Sequence, residues 1–295
     1  MNQNPYKMIA IDLDGTLLSP DGSITPRVVK AIERAVQSGL RICFATGRNY
    51  TECRTILQTV NHYDTAVFVG GAVVMDTRQR VTIHKTLMGE QLAAEVAEYL
   101  ESMDQVVLAL QEHEASEVDY LITDERHLNE PTRLWLEMNR KVRKVPSVAR
   151  HSHRHTMRLS ICAHPEDVAK LEVQLRNRFG ERILCHALKV TAYDVEVLEV
   201  FDPAVNKWQG ILKVAQKYGI LPQQIVAVGD DVNDLPMIKN AALGVAMGNA
   251  HSDVKTAAKR VIGSNHQDGL AEFLEMLVDS HTIQPCSDND NDAAA

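Results

Sequence analysis

The sequence lacks the features of a secreted, disulfide-bonded or membrane-spanning protein. Its five cysteines are scattered and form no Cys-x-x-Cys pair, so neither a disulfide framework nor a zinc site is expected. The N-terminus lacks the basic-then-apolar layout of a signal peptide, and no apolar run approaches bilayer-spanning length. We therefore expect a soluble protein of the reducing cytoplasm.

An excess of positive charge is also missing. The formal net charge is −8, which argues against nucleic acid or an anionic membrane as the main partner. The sequence shows no internal repeat, and its 295 residues favour one large domain or two modest ones, with a core that needs no disulfides.

Short buried strands alternate with amphipathic helices at both ends of the chain. Apolar runs at 8–13, 40–45 and 66–69 each stop at polar or glycine-rich residues, with helical spacing between them. The pattern resumes with a strand-like run at 195–200 and a buried strand at 225–228. Strands that alternate with helices are typical of a parallel α/β sheet.

The pattern differs in the middle of the chain. From about residue 82 to 190, strand pairs joined by short loops indicate a separate α+β module inserted into the sheet domain. We expect a catalytic core at 1–81 and 191–280, and the inserted module at 82–190. The acidic, alanine-rich tail at 281–295 is expected to be disordered.

Four of the predicted strands end in polar or glycine-rich segments. These are Asp12/Asp14, Thr46-Gly47-Arg48, Gly70-Gly71 and Asp230/Asp231. Ligands of open parallel sheets bind outside the carboxyl ends of the strands, so these segments should meet at one edge. Carboxylates concentrated there require a hard divalent cation, for which Mg²⁺ is the abundant candidate.

A cation beside carboxylates, with hydroxyl, amide and lysine donors nearby, can catalyse phosphoryl transfer. Gly15 allows the chain to turn directly after the two aspartates, so that Asp14 can swing back toward a substrate. This favours Asp12 as the nucleophile and Asp14 as the general acid and then base.

These segments resemble the motifs of the haloacid dehalogenase superfamily. Asp-Leu-Asp-Gly-Thr at 12–16 resembles the first motif, and Ala-Thr-Gly-Arg at 45–48 the second. Lys207 before a helix resembles the third, and Gly229–Asp234 the fourth. Their order and spacing fit the Cof-type phosphatase branch. The resemblance implies a doubly wound, Rossmann-like core with an α+β cap inserted between the second and third motifs.

The resemblance also implies a role for each matching residue. Asp12 would be nucleophile and metal ligand, and Asp14 the acid/base whose backbone carbonyl binds the metal. Asp230 would ligate Mg²⁺, and Asp234 would hold the metal's water shell. The Leu13 and Gly47 amides and the Thr46 hydroxyl would hold the phosphate, and Lys207 would neutralise the phosphate charge. Asn233 would contact the phosphate or metal-bound water. Because the dehalogenase branch lacks an acid at the position of Asp14, phosphate chemistry is favoured over carbon–halogen cleavage.

One residue departs from the family pattern, and one unusual segment lies outside the four motifs. Gly70 occupies a position where the Cof-type branch usually has Asn, which removes one polar contact. The His- and Arg-rich segment 140–158 favours a solvated basic part of the cap over a zinc site. A minority hypothesis is that part of this segment faces the active site and attracts anionic substrates, which charge reversal of Arg154 and Arg158 would test.

The sequence thus predicts a Mg²⁺-dependent phosphatase of small phosphorylated metabolites, of sugar or nucleotide type, that works through an aspartyl-phosphate intermediate. A phosphomutase or phosphotransferase remains an alternative, because it differs only in the acceptor. So does a non-catalytic phosphometabolite-binding module, although binding alone does not require Asp14. The sequence names neither the physiological phosphate ester nor the oligomeric state.

Overall fold

The computed structural model describes residues 5–112, 118–123, 128–130, 132–133, 141–190 and 195–279, so the predicted disorder of 281–295 lies outside it. The described chain divides into two compact units. Residues up to His84 and from Asn206 onward form the core unit, and Lys85–Val205 form the inserted unit.

The core unit is built on a five-stranded parallel sheet. Its strands run in the spatial order β14-β13-β12-β1-β2, and every neighbouring pair is parallel. They are β1 (Met8–Ile11), β2 (Arg41–Phe44), β12 (Ile225–Gly229), β13 (Leu243–Ala246) and β14 (Arg260–Val261). The described helices of this unit are α1 (Pro26–Gln37), α2 (Tyr50–Thr59), α5 (Lys207–Lys217), α6 (Leu235–Asn240), α7 (Ser252–Ala257) and α8 (Gly269–Asp279). The α/β class of the core is therefore confirmed.

Local sequence signals explain where α1 begins and which face it buries. The Thr25 hydroxyl accepts a hydrogen bond from the Val28 amide and caps the helix, while Pro26 occupies the first turn. The apolar residues spaced along one face are the buried ones, namely Val28, Ala31, Ile32 and Ala35.

The third predicted strand lies outside the parallel sheet. β3 (Thr65–Phe68) pairs antiparallel with β4 (Val73–Asp76), and with β5 (Val81–Lys85) they form a separate three-stranded sheet. A single parallel bridge, Ala45 to Val67, links it to the end of β2. The chain turns back after β3, so β3 pairs with its sequence neighbour β4 instead of extending the parallel sheet.

The inserted unit is an α+β module, as predicted. Its sheet has the order β10-β11-β9-β6-β7-β8 and is antiparallel except between β7 and β8. The elements are α3 (Glu90–Ser102), β6 (Leu108–Gln111), β7 (Tyr120–Thr123), β8 (Val142–Val145), β9 (Thr156–Ala163), α4 (Pro165–Phe179), β10 (Leu184–Val190) and β11 (Val195–Phe201). A single apolar cluster joins α3 and α4 to the sheet, including Leu100, Leu159, Leu171 and Leu198.

The second unit boundary differs from the predicted one. The core was expected to resume at 191, but β11 pairs with β9 and β10, and the boundary falls between Val205 and Asn206. A strand that follows its neighbour after so few residues pairs with it as a hairpin, which places β11 in the inserted sheet. The first boundary lies between His84 and Lys85, three residues beyond the predicted 81.

Two further features concern the cysteines and the length of the helices. Cys43, Cys53, Cys162 and Cys185 are free and buried, and burial raises the pKa of the Cys162 and Cys185 thiols to about 12. These thiols act as packing groups, since the thiolate is the reactive form. Within the described ranges, no helix is long and apolar enough to cross a membrane.

Candidate active site

The first acidic segment follows β1 directly. Asp12 is buried, and its amide donates to the Val228 carbonyl at 3.1 Å, which extends the pairing of β1 with β12. The chain then turns through Leu13–Leu17, where Gly15 has a φ of +76°. A Cβ at Gly15 would lie 2.0 Å from Asp230 Oδ2, so only glycine fits between the two acidic segments.

The second acidic segment follows β12 and forms a tight turn over Val232–Asp234. The Asp234 carboxylate is buried, and its Oδ2 accepts the amides of Asp230 at 2.9 Å and Asp231 at 3.1 Å. Gly229 leaves the space for this carboxylate, because a Cβ there would lie 2.5 Å from Asp234 Cγ. Asp234 is therefore fixed in place by the backbone of its own turn.

Lys207 joins the two acidic segments. It is the first residue of α5, its side chain is buried, and Asn206 caps the helix by accepting from the Gln209 amide at 3.0 Å. Its Nζ donates to Asp12 Oδ1 at 2.6 Å and to Asp234 Oδ1 at 2.7 Å. Burial opposes its charge, but the two carboxylates raise the pKa of Lys207 above its usual range, so the ammonium is charged.

One ammonium faces three clustered carboxylates. Asp12, Asp230 and Asp234 each offer an oxygen, and these oxygens lie within 4.8 Å of one another. Burial raises the pKa of Asp12 well above its usual range and that of Asp230 to about 7, and the neighbouring carboxylates add to both shifts. Removal of such a charge excess requires protons or a cation, and the all-oxygen donor set fits a hard divalent ion.

An unpartnered polar atom lies in the same turn. Asn233 Oδ1 is buried and has no hydrogen-bond partner among the described residues. A metal ion or a metal-bound water can satisfy this acceptor, whereas a fully deprotonated phosphate has no proton to donate to it. The residues present therefore fit a hydrated divalent cation.

Two further residues hold Asp230, and sequence reasoning gave them no role. The Thr16 hydroxyl donates to Asp230 Oδ1 at 2.8 Å. Asn249, which follows β13, donates to the Gly15 carbonyl at 2.8 Å and lies 3.5 Å from Asp230 Oδ2. Thr16 belongs to the first motif and Asn249 to none of the four, and only the side-chain geometry reveals the contacts.

Asp14 has a different partner from Asp12. Its carboxylate is exposed and accepts two hydrogen bonds from Arg48, from Nε to Oδ2 at 2.8 Å and from Nη2 to Oδ1 at 2.5 Å. This two-pronged pairing fixes the plane of the carboxylate. Arg48 belongs to the second motif, yet sequence reasoning assigned it no task.

The loop at 46–48 is attached to the segment that follows β3. Thr46 is buried, and its hydroxyl accepts the Arg48 amide at 3.1 Å, which leaves the hydroxyl proton for another acceptor. The Gly70 amide donates to the Thr46 carbonyl at 3.0 Å, and the Val69 amide to the Arg48 carbonyl at 2.9 Å. Gly47 lies between these two anchored residues.

The backbone conformation accounts for Gly70 where the Cof-type branch has Asn. Val69, Gly70 and Gly71 all have positive φ, at 53°, 63° and 110°. Asn and Gly are the residues that most readily enter the left-handed region, so the exchange preserves the backbone. At position 71 glycine is required for a second reason, because a Cβ there would lie 2.1 Å from the Asn206 carbonyl oxygen.

In the basic segment of the inserted unit, Arg154 and Arg158 have different surroundings, and Arg158 has the closer carboxylate partner. Arg158 is buried and pairs with Glu199, and its Nη2 donates to the Tyr120 hydroxyl at 3.1 Å. This partner neutralises its charge, which argues against the anion-attracting hypothesis for Arg158. Arg154 is exposed, 4.0 Å from Glu90. Among the described residues, His151, His153 and His155 form no metal-ligand cluster.

Comparisons with known proteins cover nearly the whole chain. Residues 9–274 match the family model of haloacid dehalogenase-like hydrolases. The 5-amino-6-(5-phospho-D-ribitylamino)uracil phosphatase YitU of Bacillus subtilis is 30% identical, covering 93% of this chain and 98% of its own. The pyridoxal phosphate phosphatase YbhA of Escherichia coli is 25% identical, covering 91% and 97%. A crystal structure of a haloacid dehalogenase-like hydrolase from Bacteroides thetaiotaomicron shares the fold, with a TM-score of 0.74 at 23% identity, covering 92% and 99%.

Proposed function

The chain belongs to the haloacid dehalogenase-like hydrolase family and is a phosphatase, and we propose that it hydrolyses small phosphorylated metabolites through an aspartyl-phosphate on Asp12. The observation that carries this proposal is the buried Asp12 carboxylate, held by Lys207 at 2.6 Å beside Asp230 and Asp234. A second carboxylate, Asp14, follows two residues later on a turn that Gly15 permits.

The residues of the core unit divide the chemistry among them. Lys207 holds one oxygen of Asp12, so the other oxygen is the one that attacks phosphorus. The Thr46 hydroxyl donates to the transferring phosphate, together with the Leu13 and Gly47 amides. Asp14 gives a proton to the leaving oxygen and later takes one from the water that attacks the aspartyl-phosphate. Arg48 orients the Asp14 carboxylate for both transfers.

We propose Mg²⁺ as the cofactor. Asp12 and Asp230 would supply carboxylate ligands and Asp14 its backbone carbonyl, while Asp234 and Asn233 would bind the metal's water. When bound, the ion neutralises the repulsion between the attacking carboxylate and the phosphate. Support comes from the three carboxylate oxygens within 4.8 Å and the buried Asn233 acceptor.

The substrate class follows from the relatives and the charge of the chain. The substrates for which YitU and YbhA are named are small heterocyclic phosphate esters, so we propose an ester of this size, on a sugar alcohol, sugar or nucleotide-type body. Neither nucleic acid nor a membrane is proposed as partner of a chain with net charge −8. The free, buried cysteines support a cytoplasmic location.

Phosphate release tests the proposal. The protein is incubated with Mg²⁺ and a panel of esters that includes 5-amino-6-(5-phospho-D-ribitylamino)uracil, pyridoxal phosphate and hexose phosphates. We expect release by the wild type and by Asp21→Asn, an exposed-loop control, but none by Asp12→Asn or Asp14→Asn. Phosphate transferred to an added sugar would instead indicate a phosphotransferase, and binding without turnover would indicate a binding module.

A further inference from the structure

A groove of about 600 Å³ lies in the core unit away from the catalytic residues. Lys7 precedes β1 and Arg41 begins β2, so the groove lies at the amino-terminal ends of the strands whose carboxyl ends carry Asp12 and Thr46. Part of its wall is apolar and comes from Val36, Leu40 and Ile220. Val36 is 54% exposed, so its side chain is open to a ligand in the groove.

The groove carries an excess of positive charge. Its carboxylate, Asp64, is already paired with Arg41 and accepts the Tyr218 hydroxyl at 2.6 Å. The Arg41 guanidinium stacks on the Tyr218 ring at 3.4 Å, so these three groups satisfy one another. Lys7 and Arg78 also line the groove, and both are exposed without a carboxylate at ion-pair distance among the described residues.

A smaller recess of about 110 Å³ continues the groove and adds Arg54 and Arg80. The two share Arg78, Tyr63 and His62, and Tyr63 is 48% exposed. The recess therefore extends the cationic lining of the groove by Arg54 and Arg80.

We propose that this groove binds a small organic anion, as a site separate from the phosphatase centre. The phosphate, sulfonate or carboxylate group of the ligand meets Lys7 and Arg78. Its apolar or aromatic body lies on Val36, Leu40 and Tyr63. The volume suits a metabolite-sized molecule and not a macromolecular segment.

The dye 8-anilinonaphthalene-1-sulfonate tests the site, because it joins an anionic group to an aromatic body and fluoresces when bound to apolar surface. We expect the full-length protein to bind it saturably at one site. The double variant Lys7→Ala/Arg78→Ala should raise the dissociation constant at least about fivefold, since two charge contacts are lost. The matched control Lys30→Ala/Lys239→Ala removes two exposed cations outside the groove and should leave the constant unchanged.

A third variant and a map of the bound dye complete the test. Val36→Glu places a carboxylate on the apolar wall and should also weaken binding. In amide NMR spectra, the shifts caused by the dye should concentrate at residues 36–41 and 60–64. Phosphatase activity should persist in all these variants, because they lie at the opposite ends of the strands. Absent binding, equal binding by both double variants, or shifts centred elsewhere would each overturn the proposal.

Discussion

At the scale of single residues, the pairing of Arg48 with Asp14 has the most direct consequence for catalysis. Both side chains are partly exposed, so the ion pair contributes at most about 1 kcal/mol to folding. Its two hydrogen bonds instead fix the direction of the carboxylate that we propose as the proton donor and acceptor. The pair is therefore a matter of geometry more than of stability.

This pairing predicts the effect of replacing Arg48. Arg48→Ala should lower kcat by about ten- to a hundredfold, because a misplaced general acid loses part of its contribution. Arg48→Lys should restore only part of the loss, since lysine cannot form the planar double contact. Steady-state kinetics with a hydrolysed ester measure kcat, and a thermal unfolding curve measures the melting temperature.

A similar pair elsewhere serves as the control. Arg27 contacts Glu275 through Nε at 3.2 Å and Nη2 at 2.7 Å, and both residues lie on helices outside the site. Arg27→Ala should leave kcat unchanged and alter the melting temperature no more than Arg48→Ala does. An Arg48→Ala enzyme with wild-type kcat would contradict the positioning role.

At the scale of elements, the start of α5 determines where Lys207 lies. The backbone of Gly71 lies directly against the Asn206 carbonyl. Gly71→Ala would force these atoms apart and displace the first turn of α5. We expect kcat/KM to fall by about a hundredfold, since positional errors near 1 Å have effects of this size.

Gly39 provides the matched control for this substitution. Its φ of +93° is close to the +110° of Gly71, but nothing lies within 4 Å of a Cβ placed there. Gly39→Ala should therefore reproduce the backbone strain without displacing α5. Both variants should lose stability in urea unfolding, and only Gly71→Ala should lose activity. Equal activity of the two variants would argue against the displacement.

Elements also show which parts of the fold local sequence can predict. β1, β12 and α1 follow from short-range signals, namely apolar runs that stop at acidic residues, or a cap and a spaced apolar face. The sheet to which β3 and β11 belong depends on pairing between distant or returning segments, and apolar runs carry no such information. Because ligands bind at the carboxyl ends of parallel strands, the sequence likewise predicted that the aspartates lie close together. The contacts of Arg48 and Asn249 could not be predicted in this way, because they depend on side-chain directions.

At the scale of the whole molecule, His62 links stability to pH. Burial lowers its pKa to about 4, and its ring packs edge-on against Phe44 at 4.7 Å. The unfolded chain takes up a proton below about pH 6.5, while the folded protein resists protonation until about pH 4. Stability from this group is therefore present above pH 6.5 and falls as the pH drops toward 4, by about 3 kcal/mol in total.

Urea unfolding between pH 4.5 and 7.5 checks this prediction. In His62→Gln, the loss of unfolding free energy on acidification should be smaller than in the wild type by most of that amount. His251→Gln removes an exposed histidine and should keep the wild-type slope. The comparison of slopes separates titration from any packing defect that His62→Gln causes at every pH. Equal slopes for all three proteins would rule out His62 as the source.

The charge excess at the catalytic centre also couples cation binding to the stability of the whole molecule. Asp12, Asp230 and Asp234 oppose one another in the folded protein, while the unfolded chain separates them. Mg²⁺ should therefore bind the folded protein and raise its unfolding free energy, by about 2.7 kcal/mol at a hundredfold excess over the dissociation constant. Because protons compete for the same oxygens, and the pKa of Asp230 is about 7, the gain should be larger at pH 8 than at pH 6.

Melting curves with Mg²⁺ and with EDTA at both pH values measure the gain. Asp230→Asn should remove most of it, whereas Asp253→Asn, an exposed carboxylate outside the cluster, should retain it, and a gain that survives in Asp230→Asn would place the cation elsewhere.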